Sequence, residues 1–195
     1  RNNFGGGVSG GGKPSRLLWL TLVIILGLWV ATGFYRVNPQ EQGVVLRFGE
    51  WVKTTPPGLH YHLPFPVESV LTPDVTRDNR LEIGFRDVGG RSVARRDIVD
   101  ESQMITGDEN IVDIDFRVMW KISLAEDFLF NLQDPEETVK VAAESVMRGI
   151  IGQTKIESAL TDAKESIQSE AKTRLQLLVD DYGAGIEIRD VQLLS

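Results

Sequence analysis

Gly7 to Lys13 sets two glycines and a lysine in the spacing G-x-x-x-x-G-K, a pattern that elsewhere cradles phosphate with backbone N–H groups and a lysine ammonium. That chemistry needs a strand before the loop, a helix after it, and a Ser or Thr hydroxyl beside the lysine for magnesium. Here Pro14 takes the hydroxyl position and a long apolar run follows, so no nucleotide is expected. His60 and His62 stand two apart and on an extended segment would point to one side. They make half of a metal site at most. The chain has no cysteine and no third histidine, so a completing ligand would have to be a carboxylate. Structural histidines are the preferred reading. Asp113 and Asp115 share the wet face of an alternating segment, with no pocket or histidine to separate their ionisation for acid–base work. Ser145 with Arg148, and Ser158 near Lys155, bring no oxyanion hole or strained elbow, which leaves a serine peptidase without its machinery. Arg91, Arg95 and Arg96 suit an acidic partner or, more simply, pairing with Asp97 and Asp100 on a solvated loop. No catalytic residue, metal or cofactor is expected. The chemistry left is binding.

Binding needs a surface, and the stretch that organises this chain is Leu17–Tyr35, LLWLTLVIILGLWVATGFY, uncharged and bracketed by Arg16 and Arg36. As a helix it would rise about 28 Å at ~1.5 Å per residue, close to a ~30 Å hydrocarbon core. The expected membrane-spanning side chains are Leu17, Leu20, Val23, Ile24, Leu26 and Leu28, followed by Trp29, Val30, Phe34 and Tyr35. Trp19, Trp29 and Tyr35 suit the headgroup zones. A buried core helix of this length would show a polar stripe, and a cleaved signal would be shorter and carry a small-residue cleavage site. Gly27 and Gly33 are candidate close-approach points for neighbouring helices. The chain opens on Arg1 rather than Met, so residues are expected before it. Beyond the span lie 18 basic against 28 acidic residues, a net charge of −10. Such a domain repels phosphate backbones, so nucleic acid is not an expected partner. Lys13 and Arg16 against Arg36 alone weight the N-terminal side toward the cytoplasm.

The 1–16 segment reads as a flexible glycine-rich tail. After the span, Gly43–Trp51 reads as a strand and turn, and Thr55–Pro66 is too proline-rich for a helix or central strand. Leu59, Tyr61, Leu63 and Phe65 on that loop, close behind the span, are candidate membrane-surface contacts, the alternative being an ordinary turn. Glu68–Val75 and Asn79–Phe85 read as strands, and Asp87–Glu101 as a polar insertion. Asn110–Ile122 places apolar residues at every even position from Val112 to Ile122, a strand with one buried face. Asp134-Pro135-Glu136-Glu137 opens a helix with cap, proline and acids in order. A second helix is expected from near Thr161 to Tyr182, and a last strand over Ile186–Leu194 with a phase slip near Asp190. Strands followed by helices argue an α+β fold.

In order and spacing these segments resemble a known superfamily. Asn38–Gly49 reads N-P-Q-E-Q-G-V-V-L-R-F-G, Pro57–Pro64 reads P-G-L-H-x-x-L-P, and Met104–Asp113 reads M-x-T-G-D-E-N-I-V-D. Phe128–Asn131 and Ala143–Arg148 complete the pattern with F-L-F-N and A-E-S-V-M-R. The chain is identified as a member of the band 7, or SPFH, superfamily of stomatins and prohibitins, most similar to its HflK branch over residues 15–195. The resemblance implies two small α/β subdomains, over 36–103 near the membrane and over 104–195, with a coiled coil downstream. It implies no active site and a scaffold that joins further copies of itself and an HflC-like paralogue in a membrane-bound cage. That cage encloses the membrane-anchored ATP-dependent protease FtsH and limits its access to membrane-protein substrates. It further implies a bacterial inner-membrane location, with the cytoplasmic tail and periplasmic domain that the charge weighting favours. The rival readings are a microdomain organiser binding lipids or a respiratory complex, and a membrane serine peptidase.

Overall fold

The apolar run folds as helix α1, Pro14–Ala31, and stops where Thr32 and Gly33 turn the chain, their N–H groups bonding the Trp29 and Val30 carbonyls. The computed structural model describes residues 14–88, 94–155 and 164–194, and their side chains except at 14–18, 87–88 and 94–96. Gly7–Lys13, Arg91, Ser158 and Thr161 lie outside the described residues, as do the side chains of Leu17, Arg95 and Arg96. The helix expected to reach Tyr35 is shorter than that. Phe34-Tyr35-Arg36-Val37 is aromatic and β-branched, favours strand, and finds a strand partner. Among the described residues no helix is long and apolar enough to cross a membrane. The uncharged part of α1, Leu17 to Ala31, rises only roughly 22 Å against the ~30 Å of a hydrocarbon core.

The first lobe consists of short strands: β1 Phe34–Val37, β2 Gly43–Arg47, β3 Glu50–Thr55, β4 Gly58–Tyr61 and β5 Glu68–Leu71. β1 pairs antiparallel with β4, Phe34 opposite Tyr61 and Val37 opposite Gly58. The proline-rich loop therefore contains a strand after all. Its prolines flank Gly58–Tyr61 on both sides and leave the N–H groups between them free to pair. β2 is the centre of the order β3-β2-β5, and Val44 and Val45 on it are fully buried beside Val37.

The second lobe follows: β6 Asn79–Ile83, β7 Phe85–Val88, β8 Ala94–Asp97, α2 Val99–Ser102, β9 Gln103–Ile105, β10 Ile111–Asp113 and β11 Phe116–Ile122. Then come α3 Ala125–Phe130, α4 Pro135–Ile151, α5 Lys164–Asp181 and β12 Ile186–Leu193. The sheet order β12-β11-β6 draws one strand from before residue 103. The long strand expected over 110–122 is divided: β10 pairs with β9, β11 with β6 and β12. Ile114 N–H leaves to bond the Ser102 carbonyl, and the Asp115 carbonyl accepts from Leu194. The alternation survives the break, with Val112, Ile114, Phe116, Val118, Trp120 and Ile122 all buried. The expected phase slip is a bulge: Met119 faces Asp190 while Trp120 faces Ile188. What read as a polar insertion is largely the β7–β8 hairpin, Arg86 opposite Arg96.

Asp134 Oδ1 accepts the Glu137 N–H at 3.2 Å and so caps α4, whose inner face buries Val139, Ala142, Ala143, Met147, Ile150 and Ile151. Ile167, Ala171, Leu175 and Val179 of α5 close on the same core. The fold is α+β, with helices packed on a small antiparallel sheet.

Candidate functional site

The candidate catalytic groups separate. His60 and His62 do face one side, both against the Tyr35 ring, with centroids 5.8 Å and 5.2 Å away. Each ring already donates to a backbone carbonyl: His60 Nε2 to Pro56 at 2.7 Å and His62 Nδ1 to Leu63 at 2.6 Å. Among the described residues no three metal-ligating side chains come together. Arg148 turns from Ser145 to the Asp100 carbonyl and the Glu144 carboxylate. Glu101 sits among Arg86, Lys140 and the Gly84 N–H. Burial pushes its carboxyl up, but those bonds more than offset it and hold it below the usual range. The cluster straps α2 to α4, and its charges are mutually satisfied.

Exposed apolar side chains gather at the end of α1. Trp29 Nε1 donates to the Phe65 carbonyl at 2.9 Å, and Tyr61 donates its hydroxyl proton to the Val30 carbonyl at 3.1 Å. These bonds fasten the end of α1 to β4 and the loop after it. Gly33 lies so close to β4 that a Cβ there would overlap the His62 carbonyl and the Tyr61 ring. Its close approach is to its own chain, whereas Gly27 has open space around it. Around this joint Leu59, Leu63 and Phe34 are exposed, and Phe65 is 80% exposed.

Beside them stands a residue that sequence reading missed. Phe48 occupies the β2–β3 turn at φ 52°, followed by Gly49 at φ 92°. A bulky residue in the left-handed region is an outlier, and this one is 77% exposed. Phe48 N–H bonds the Val67 carbonyl, which sets this tip next to the Phe65 loop. Glu68 holds the two together. Its side chain is 4% exposed; Oε1 accepts from Arg47 Nε and Nη2 at 3.0 and 2.7 Å, and Oε2 from Leu63 N–H at 2.7 Å. The Leu63 N–H bond, helped by Arg47 and opposed by burial, holds the Glu68 carboxyl below its ordinary range. The result is an exposed apolar edge at the end of α1, held in place by these bonds.

Residues 35–195 match the SPFH domain / Band 7 family. The chain is similar to the protein HflK of Borreliella burgdorferi, 31% identical over 91% of this chain and 57% of that protein. It is similar as well to HflK of Treponema pallidum, 33% identical over 88% of this chain and 52% of the relative. The modulator of FtsH protease HflK of Escherichia coli K12 is 28% identical over 90% of this chain and 38% of its own length. The chain thus spans about half, or less, of the curated relatives it matches.

Proposed function

This chain belongs to the SPFH domain / Band 7 family, and from that premise we infer that it is part of a non-catalytic membrane scaffold that regulates an FtsH-type ATP-dependent protease. The observation that carries this reading is its similarity, along some nine tenths of its length, to relatives named HflK, one of them a modulator of the FtsH protease. The satisfied polar clusters and scattered candidate catalytic groups support a binding role over an enzymatic one. In this reading the protein assembles with further copies of itself and an HflC-like paralogue into a cage, and governs access of membrane-protein substrates to the protease.

The proposed location is the bacterial inner membrane, single-pass, N-terminus cytoplasmic and SPFH domain periplasmic. Support for the anchor comes from the uncharged Leu17–Tyr35 run and from the apolar edge that follows the helix. Leu20, Val23, Ile24, Leu26 and Leu28 are exposed around α1, with Leu17 on the same uncharged run. Phe34, Leu59, Tyr61, Leu63, Phe65 and Phe48 continue that surface into a collar, whereas Tyr35 turns to the other face of β1, half-buried against His60 and His62. A ~22 Å helix and a collar of this kind together match a ~30 Å core better than the helix alone.

The test is to extract the full-length protein from its own membrane in native nanodiscs and identify what accompanies it. An HflC-like paralogue and an AAA protease in one high-mass species are expected. A respiratory complex without the protease would favour microdomain organisation instead. Fluorophosphonate labelling lost in Ser145→Ala would overturn the non-enzymatic reading.

A further inference from the structure

The sheet of the second lobe has two edges, β12 and β6, and they are finished differently. On β12 the Gln176 amide accepts from the Ile188 N–H and donates to the Ile186 carbonyl, which closes that side. The same bonds fix which residues of β6 face outward. With Ile186 and Ile188 turned away from β11, Glu187 bonds Lys121, and the even residues of β11 bond β6 at Asn79, Leu81 and Ile83. Arg80 and Glu82 therefore turn their main-chain groups away from the sheet. The Glu82 carbonyl accepts from Arg86 Nη1 at 2.6 Å. Among the described residues none takes the main-chain N–H or carbonyl of Arg80.

Two hollows meet at this residue, and Arg80 and Glu136 line both. The larger, about 770 Å³, has an apolar floor of Trp120, Ile122 and Phe128. Around it Arg77 and Arg80 balance Asp74 and Asp78. Trp120 is 4% exposed, and its Nε1 proton has no acceptor among the described residues. A buried donor left over in the wall of a hollow calls for an oxygen from elsewhere. The smaller hollow, about 360 Å³, lies between Leu81 and the first turns of α4. There Arg86 and Lys140 are spent on Glu101, while Glu136 and Glu137 are exposed and form no ion pair among the described residues. That end of the cleft suits a cation.

We propose that the Arg80 edge binds an extended segment of a partner protein, with a basic residue placed two positions before a large side chain that ends in oxygen, as in Lys-Val-Tyr. Laid antiparallel to β6, the central residue exchanges both main-chain bonds with Arg80. Its two neighbours then turn their side chains to the core face of the sheet. The lysine meets Glu136 and Glu137, and the tyrosine covers Trp120, Ile122 and Phe128, its oxygen accepting from Trp120 Nε1. The inference needs only the folded second lobe and does not depend on the protease reading above.

The test is fluorescence anisotropy of a labelled Thr-Lys-Val-Tyr-Thr peptide with the full-length protein in native nanodiscs. Methylating the valine nitrogen removes the bond to the Arg80 carbonyl and leaves the protein untouched; binding is expected to weaken about tenfold. The double variant Glu136→Lys, Glu137→Lys is expected to lose this peptide and to gain one with glutamate in place of the lysine, a gain that only a folded site can show. Exchanging the tyrosine for phenylalanine is expected to weaken binding to the wild type but not to Trp120→Phe, in which the ring remains and the donor is gone. No binding of the Lys-Val-Tyr peptide, or binding indifferent to the methyl group and to the charge exchange, would overturn the proposal. Assemblies that fall apart in the double lysine variant would put a second copy of this lobe on the edge and overturn the partner segment.

Discussion

Glu68 shows how one carboxylate can set the position of two loops. Its buried oxygens join Arg47, next to the Phe48 turn, to Leu63, on the Phe65 loop. Replacing it with alanine removes the bond from Leu63 N–H, and a hydrogen bond to a charged group contributes about 1.5–3 kcal/mol. Arg47 is half exposed and adds less, since water screens it. Glu68→Ala is therefore expected to lower the urea midpoint, with the loss confined to the first lobe in hydrogen-exchange measurements. Because the folded-state pKa is depressed, the Glu68 contribution is fully present above the ordinary carboxylate range. It is lost as pH falls through the lowered value. None of this was legible in the sequence, where Glu68 is one acid among 28 acidic residues. Phe48 was hidden for a different reason. Turns of positive φ normally announce themselves by Asn-Gly or Asp-Gly, and Phe-Gly does not.

At the scale of elements, local signals were readable wherever a single period or cap governs. The alternation from Val112 to Ile122 predicted every buried residue of that stretch, because a half-buried strand leaves no other use for period two. It did not show the break at Ile114–Asp115. That break depends on Ser102 and Leu194, partners 12 residues before and 79 after the residues they bond. β4 was missed because prolines are read as breakers, whereas here they only frame four residues that pair with β1. The cap at Asp134 is the cleanest local signal, and Asp134→Ala is expected to cost about 1 kcal/mol, visible as a lower melting temperature for the second lobe. Gln176 illustrates the opposite case: its amide accepts from Ile188 N–H and donates to the Ile186 carbonyl along the free side of β12. It protects that strand from pairing with another chain, and nothing in the pattern of α5 singles it out.

For the whole molecule the balance of charge and apolar surface bears on the membrane attachment proposed above. The formal net charge is −7, so anionic headgroups repel the domain and attachment has to come from apolar contact. Vesicle retention of a fragment from Phe34 onward is expected to change little between neutral and anionic lipid at high salt. Phe48→Ser with Phe65→Ser is expected to cut it at least tenfold, because each aromatic ring buried contributes about 1.5–3 kcal/mol. Sedimentation with liposomes measures both effects; retention that rises with anionic lipid and falls with salt would count against the apolar edge.

The joint at Thr32 and Gly33 has a mechanical consequence. A protein hung from its anchor by a long linker swings through a wide cone, whatever the anchor does. Here two residues separate helix from strand, and the Trp29–Phe65 and Tyr61–Val30 bonds brace the joint from either side. The joint leaves little slack between helix and strand. With α1 in a bilayer as proposed above, where a helix adjusts its tilt to the local thickness, so short a joint would pass that tilt on to the first lobe, and a thinner or thicker membrane would be felt as a change in the direction the domain points.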